Sequence, residues 1–472
     1  MKLPPVVWSL VQQFGRQGVN LAVFVLLATL LSPREIGVLG AASVWMGFAL
    51  VFTELGFGAA IIQRSELRPA HLSSTFVLNT LSGLVFCLLG LALADPFARL
   101  IGLPDAAPVL RVLSAVFVTD ALAITQIALA QRELRFRDLA IRDVAASLVG
   151  GVAGVGAALL GLGVWSLVIL ALVTSLVELV LIWALSPWRP RLSECSRAAI
   201  SELWGYSSRI FAFGCVKQVV QNIDKVLIGA TLGPVALGLY TFAYRLVVLP
   251  VSSFVGAVGA YLFPKFAHMQ RDTDGLRGGY LLVIRTLMSL LAPALAALIL
   301  VAPVVVPAIF GQQWAGAVPT LQLLAVVALL QAVISPAGQL MKALDRPGWL
   351  VGWSVGFSAI TALSLGVGSR WGITGVGLGL ILAHIAGLPI IQAIVRRLIG
   401  LSAVEMLAAV APACLASLAL SALIWAAMAA SINPATIGVA LGLAVGALAY
   451  VALLAALDRP LLVALLRGFR NV

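Results

Sequence analysis

One apolar stretch near the N-terminus carries too many polar residues for a plain membrane anchor. Between Ser9 and Leu30 lie Gln12, Gln13, Arg16, Gln17 and Asn20. Steps of 3, 4 and 1 keep all five on one side of a helix. A guanidinium flanked by amides suits oxyanions, because its planar fork of donors matches phosphate or carboxylate. The pattern returns 201 residues later, where Lys217, Gln218 and Gln221 stand at the places of Arg16, Gln17 and Asn20. A cation at mid-bilayer costs ~3 kcal/mol or more if it faces lipid. Matched polar faces therefore imply a polar cavity with a positive wall, fit for an anionic cargo.

Other charges fall inside apolar stretches. Arg245 sits mid-span beside Tyr244, one turn after Tyr240. Arg16, Lys217 and Arg245 must face protein or water, either as cargo contacts or as buried ion pairs. Lys225 lies beside Asp224 and offers the same two choices. Arg209 and Arg285 lie near span ends, where a long side chain snorkels to the interface. Asp120, Glu178 and His384 are central in their stretches. Each acid can exchange a proton during a transport cycle or neutralise Arg16 or Arg245. Glu54 belongs to a turn motif, with a structural or gating role.

The surrounding elements must be membrane helices. Of 472 residues, 62% are apolar and 10% charged, which excludes a soluble domain. Fourteen stretches have the ~20-residue length of a span. They lie near 9–30, 36–58, 73–94, 109–130, 142–160, 165–186, 206–230, 235–258, 280–302, 319–341, 348–368, 374–395, 404–427 and 436–457. No cleavable secretory signal is expected before the first, which would serve as an uncleaved anchor. Alternating the loops puts 20 of the 30 Lys/Arg on one side and only Arg34, Arg99, Arg111 and Arg370 on the other. The positive-inside rule then places both termini in the cytoplasm. The net charge of +12 is topological, and no basic soluble domain is there to bind nucleic acid. Cys87, Cys195, Cys215 and Cys414 are scattered and support neither disulfides nor a metal site. No cofactor is expected.

The duplication extends beyond one helix. Ser32-Pro33 with Ile36-Gly37-Val38 matches Gly233-Pro234 with Leu237-Gly238-Leu239, and Arg64 matches Lys265. Gly163-Val164-Trp165 matches Gly372-Ile373-Thr374. The expected fold is an all-α polytopic membrane protein of about 14 transmembrane helices. It has two pseudo-symmetric six-helix lobes, residues 1–200 and 201–400. Residues 401–472 supply helices 13 and 14, packed outside the lobes, and a cytoplasmic tail. Parallel repeats of this kind build transporters with the site between the repeats.

Several short motifs carry a resemblance. Leu26-Leu27-Ala28-Thr29-Leu30-Leu31-Ser32-Pro33-Arg34-Glu35-Ile36-Gly37-Val38 resembles a signature of the polysaccharide transporter family. These are bacterial oligosaccharide flippases, in one superfamily with multidrug extrusion proteins and the lipid II flippase. The stretches Glu54–Arg64 (beginning Glu54-Leu55-Gly56-Phe57-Gly58), Arg132-Glu133-Leu134-Arg135-Phe136, Gly161–Val168 (beginning Gly161-Leu162-Gly163-Val164-Trp165) and Asp224-Lys225-Val226-Leu227-Ile228-Gly229 follow in the family's order. Thr29 departs from it, standing where a basic residue is expected. The resemblance covers roughly residues 5–400. It implies a flippase of the bacterial inner membrane that moves polyprenyl-pyrophosphate-linked oligosaccharide from the cytoplasmic to the periplasmic leaflet. The product would be O-antigen, capsule or exopolysaccharide, made with polymerase and export machinery.

On that reading Arg16, Gln17, Asn20, Lys217, Gln218, Gln221, Lys225, Tyr244 and Arg245 are the substrate-binding candidates. Asp120, Glu178, Asp224 and His384 are the coupling or ion-pair candidates. An enzyme of envelope assembly is disfavoured, because the longest external loops, 95–108 and 303–318, are short and no His pairs with a nucleophile. A cation-coupled multidrug antiporter of the same fold is the alternative, but its cavity should be acidic or aromatic.

Overall fold

The computed structural model describes residues 5–270, 272–430 and 438–458. Among them there is no strand. The chain opens with α1 (Pro5–Leu10), a π-helical turn at Val11–Gly15, and α2 (Arg16–Leu30). Then come α3 (Pro33–Glu54), α4 (Phe57–Gln63), α5 (Pro69–Leu100), α6 (Ala107–Leu113), α7 (Val116–Arg132), α8 (Phe136–Leu159) and α9 (Trp165–Leu185). A long α10 (Arg197–His268) is followed by α11 (Thr273–Phe310), α12 (Val318–Ile334), α13 (Pro336–Ala343), α14 (Pro347–Gly368), α15 (Gly372–Ile399), α16 (Ala403–Ala430) and α17 (Val439–Leu457).

Where they are described, the fourteen expected stretches fall on helix. Eleven helical stretches among the described residues are long and apolar enough to cross a membrane, and one of them, Gly348–Ile399, joins α14 and α15. The polar first stretch is not among the eleven. Lys2, Arg271 and the tail after Asp458 lie outside the described residues.

The family-like motifs turn out to be folding devices. Ser32 and Glu35 form a capping box: the Glu35 carboxylate accepts from the Ser32 amide at 2.8 Å, and the Ser32 hydroxyl accepts from the Glu35 amide at 3.4 Å. Pro33 opens α3, where no amide donor is needed. Gly56 has φ +75°, and a side chain there would strike the Ser207 carbonyl oxygen at 2.4 Å. The Arg132 guanidinium donates to the carbonyls of Ile61 at 2.7 Å and Ser65 at 3.0 Å, and to that of Arg64. It thereby satisfies acceptors left open where α4 ends.

The two halves of the repeated Pro-Gly motif meet. A Cβ on Gly37 would lie 2.2 Å from the Pro234 carbonyl oxygen, and one on Gly238 would lie 1.7 Å from the Pro33 carbonyl oxygen. α3 and α10 touch there backbone to backbone, with each motif's glycine against the other's proline. In α10 the backbone breaks from helix only at Gly233 (φ 81°, ψ −176°), just before Pro234.

The chain packs as two compact units, residues 1–242 and 243–472. This packing boundary falls within α10, past the repeat boundary at 200. In the second unit α16 and α17 close on α11 through Val301, Leu420, Ile424, Val439, Tyr450 and Leu454. The Tyr450 hydroxyl donates to the Ser289 carbonyl at 2.7 Å. A second capping box, Ser402 with Glu405, starts α16.

Candidate functional site

The polar side of the first helix is open. Ser9, Gln12, Gln13, Arg16, Gln17 and Asn20 line one cavity of about 390 Å³, with Asp143 from α8. The π-helical turn ends at Gly15, directly before Arg16. Such single-turn widenings recur at functional sites. A Cβ on Gly15 would come within 3.0 Å of Val144, so glycine lets this helix approach α8.

Arg16 is held but not enclosed. Its guanidinium lies 3.5 Å from Asp143 and 3.2 Å from Glu178 of α9, while 44% of its side chain stays exposed. Behind it Arg142, only 7% exposed, contacts the same two acids at 3.2 and 2.8 Å. Gln12 donates to Asp143 at 2.8 Å. Two guanidiniums and two carboxylates thus form a neutral square, with Arg142 at the dry corner and Arg16 at the open one. Asp120 stands beside it, accepting from Ser175 at 3.0 Å. Ser175 in turn shares a hydrogen bond with Thr119.

Glu178 lies in an ion pair with Arg16, one of the two roles its position allows. Arg142 requires a correction. It is the first residue of the stretch expected at 142–160 and counts among the 20 Lys/Arg of the cytoplasmic side. α8 in fact begins at Phe136, which carries Arg142 and Asp143 into the protein. Asp143 was not among the candidates. Its signal is positional: Leu139, Asp143, Ala146, Gly150 and Gly154 repeat at helical spacing on the buried side of α8.

A second polar centre lies at the middle of α10. The Tyr240 hydroxyl donates to Asp224, whose other oxygen accepts from the Lys225 amide at 2.8 Å. Lys225 Nζ donates to Asn222 at 2.9 Å. Lys217 and Gln221 are exposed. Gln218 packs its amide over Gly47 of α3. Tyr244 and Arg245 are half-buried in the second unit. His384, also in that unit, is buried, donates from Nδ1 to the Leu380 carbonyl at 2.8 Å and meets Phe357 edge-on at 5.0 Å. Of the candidates, Arg16, Gln17 and Asn20 share one cavity with Asp143, Glu178 closes the ion square behind it, and Asp120 bonds Ser175, one turn before Glu178 on α9.

Residues 26–319 match the model of a family described as polysaccharide biosynthesis protein. The chain is 27% identical over 386 residues to the lipopolysaccharide biosynthesis protein WzxC of Escherichia coli K12, covering 80% of this chain and 77% of that protein. It is 26% identical to the teichuronic acid biosynthesis protein TuaB of Bacillus subtilis 168, covering 76% and 74%. In fold it is similar to the lipid II flippase MurJ in an inward closed conformation, with TM-score 0.78, 14% identity and coverage of 97% and 100%. An inward-facing multidrug resistance MATE transporter aligns with TM-score 0.63 and 18% identity, over 84% and 100%.

Proposed function

The chain belongs to the polysaccharide biosynthesis protein family, and from that premise we propose that it is a flippase for polyprenyl-pyrophosphate-linked oligosaccharide. The cargo crosses from the cytoplasmic to the periplasmic leaflet of the bacterial inner membrane by alternating access, for O-antigen, capsule or exopolysaccharide export. Two lobes, residues 1–200 and 201–400, would exchange their contacts during the cycle, with both termini cytoplasmic. The reciprocal meeting of the two Pro-Gly motifs, at Gly37 and Gly238, supports the duplication behind this reading.

The cavity lined by Arg16 and four amide side chains carries the proposal. A pyrophosphate brings about two negative charges and many acceptor oxygens, which a guanidinium meets bidentately. Arg16 sits at ion-pair distances of 3.2 and 3.5 Å, longer than a tight charge-assisted hydrogen bond, so an incoming phosphate competes for it. Arg142 still contacts both carboxylates when Arg16 turns to the phosphate. Gln12, Gln13, Gln17 and Asn20 offer donors and acceptors to sugar hydroxyls. Lys217, Gln218, Gln221, Lys225, Tyr244 and Arg245 complete the proposed cargo path. Asp120, Asp224 and His384 are the groups available for coupling.

The test is surface polymer in a strain that depends on this protein. Arg16→Ala, Lys217→Ala and Arg245→Ala, each expressed at wild-type level, should each lower polymer, and Arg16→Lys should retain part of it. Normal polymer in all three alanine variants removes the cationic-cavity mechanism. Resistance to cationic drugs conferred by the wild type, with polymer unaffected by its deletion, would favour the antiporter.

A further inference from the structure

A groove of about 360 Å³ runs along the second unit between α14 and α15. Trp349, Trp353 and Phe357 stand one turn apart on α14, and Ile390 and Ile394 face them from α15. The aromatic wall is closely packed. Trp353 and Phe357 stack at 5.0 Å and 21°, and both rings rest on Gly387, where a Cβ would come within 3.0 Å of each. Between the rings the floor is open: a Cβ on Gly352 or Gly356 meets nothing within 4 Å. From Trp349 to Ile360 the slot follows about 16 Å of helix.

The two ends differ. Arg397, in the last turn of α15, closes one end beside Trp349, in the first turn of α14. Arg396 adjoins it, and the sequence has no Asp or Glu between Asp345 and Glu405. Arginine and tryptophan together mark the level of lipid headgroups. Among the described residues Arg397 makes no ion pair, and an elongated apolar slot ending in such a cation fits one amphiphile with an anionic head. The lining offers a single guanidinium and no amide for sugar hydroxyls. That chemistry suits a simple phosphodiester better than a glycosylated carrier.

We propose that this groove binds an anionic membrane phospholipid, with one acyl chain against Trp353 and Phe357 and its headgroup phosphate on Arg397. The site is separate from the Arg16 cavity and does not depend on the cargo.

The full chain, purified and delipidated in detergent, would be titrated with phosphatidylglycerol and with phosphatidylethanolamine by native mass spectrometry. Arg397→Gln should weaken phosphatidylglycerol about fivefold, the worth of one interfacial cation, and weaken phosphatidylethanolamine less, because its own ammonium offsets the phosphate. Arg397→Lys should stay within about twofold of wild type. Gly352→Leu and Gly356→Leu, each checked by melting temperature, should fill the floor and weaken both lipids. Unchanged phosphatidylglycerol binding in Arg397→Gln, or in both leucine variants, overturns the site. Displacement of phosphatidylglycerol by equimolar undecaprenyl phosphate would assign the groove to the carrier lipid and overturn it equally.

Discussion

Arg16 and Arg142 bear the same charge on the same two acids and do different work. Arg142 is dry, and removing it leaves two buried carboxylates, Asp143 and Glu178, with Arg16 as their one cation in the square. Breaking a buried pair costs about 3–5 kcal/mol. Arg142→Gln should therefore lower melting temperature and yield, whereas Arg16→Gln should melt near wild type and lose transport. Equal destabilisation by both would place Arg16 in the structural core. A third test lies outside the spans, at Glu202. The hydrogen bond from Arg68, then that from His71, holds its carboxyl down at about 2 against an ordinary 4.5. A depressed folded value stabilises above the unfolded one and is lost as acid takes it through the folded one. The melting-temperature gap between wild type and Glu202→Gln should be widest near neutrality and should narrow below about pH 4.5. A gap as wide at pH 3 as at neutrality would refute the ion cluster. Arg16 was legible from sequence because a cation in an apolar run stands out. Arg142 and Asp143 were not, because a charge near a span end reads equally as loop, and only the start of α8 at Phe136 decides it.

At the scale of elements, two glycines with crowded surroundings should respond oppositely. A methyl on Gly238 would meet the Pro33 carbonyl, and backbone cannot step aside. A methyl on Gly47 would meet the far end of the Gln218 side chain, which can swing away. Gly238→Ala should cost about 1–3 kcal/mol or more, the range for overpacking, and Gly47→Ala should be tolerated. Thermal unfolding and transport of the two variants check this, and equal tolerance would show that α3 and α10 part easily. The sequence showed these motifs as copies of each other. It did not show that the copies touch, since a separation of 201 residues is silent about contact. Likewise the expected gap between spans at 206–230 and 235–258 became a single departure at Gly233, because Pro234 at a helix start needs no amide partner.

For the molecule as a whole, apolar periodicity and length were enough to set the class, and among the described residues helices occupy the stretches expected of them. How the chain divides was less readable. Duplication points to residue 200, while packing separates the chain at 242, because α10 carries its polar first half against α3. Alternating access predicts that the ends of the first helix are never open together. In a background lacking Cys87, Cys195, Cys215 and Cys414, a cysteine at Ser9 and one at Thr29 should react with an impermeant maleimide in mutually exclusive states. Simultaneous labelling of both in one population would mean a channel.

A shuttle that delivers cargo must also make its way back with nothing aboard. A bare guanidinium would make that leg costly, since charge resists leaving water. In this protein Arg16 travels with Asp143 and Glu178 already beside it, and Arg142 behind them evens the count. The unloaded square is electrically silent. On the proposed function, membrane voltage then bears on the outward, phosphate-carrying stroke and leaves this part of the homeward one untouched.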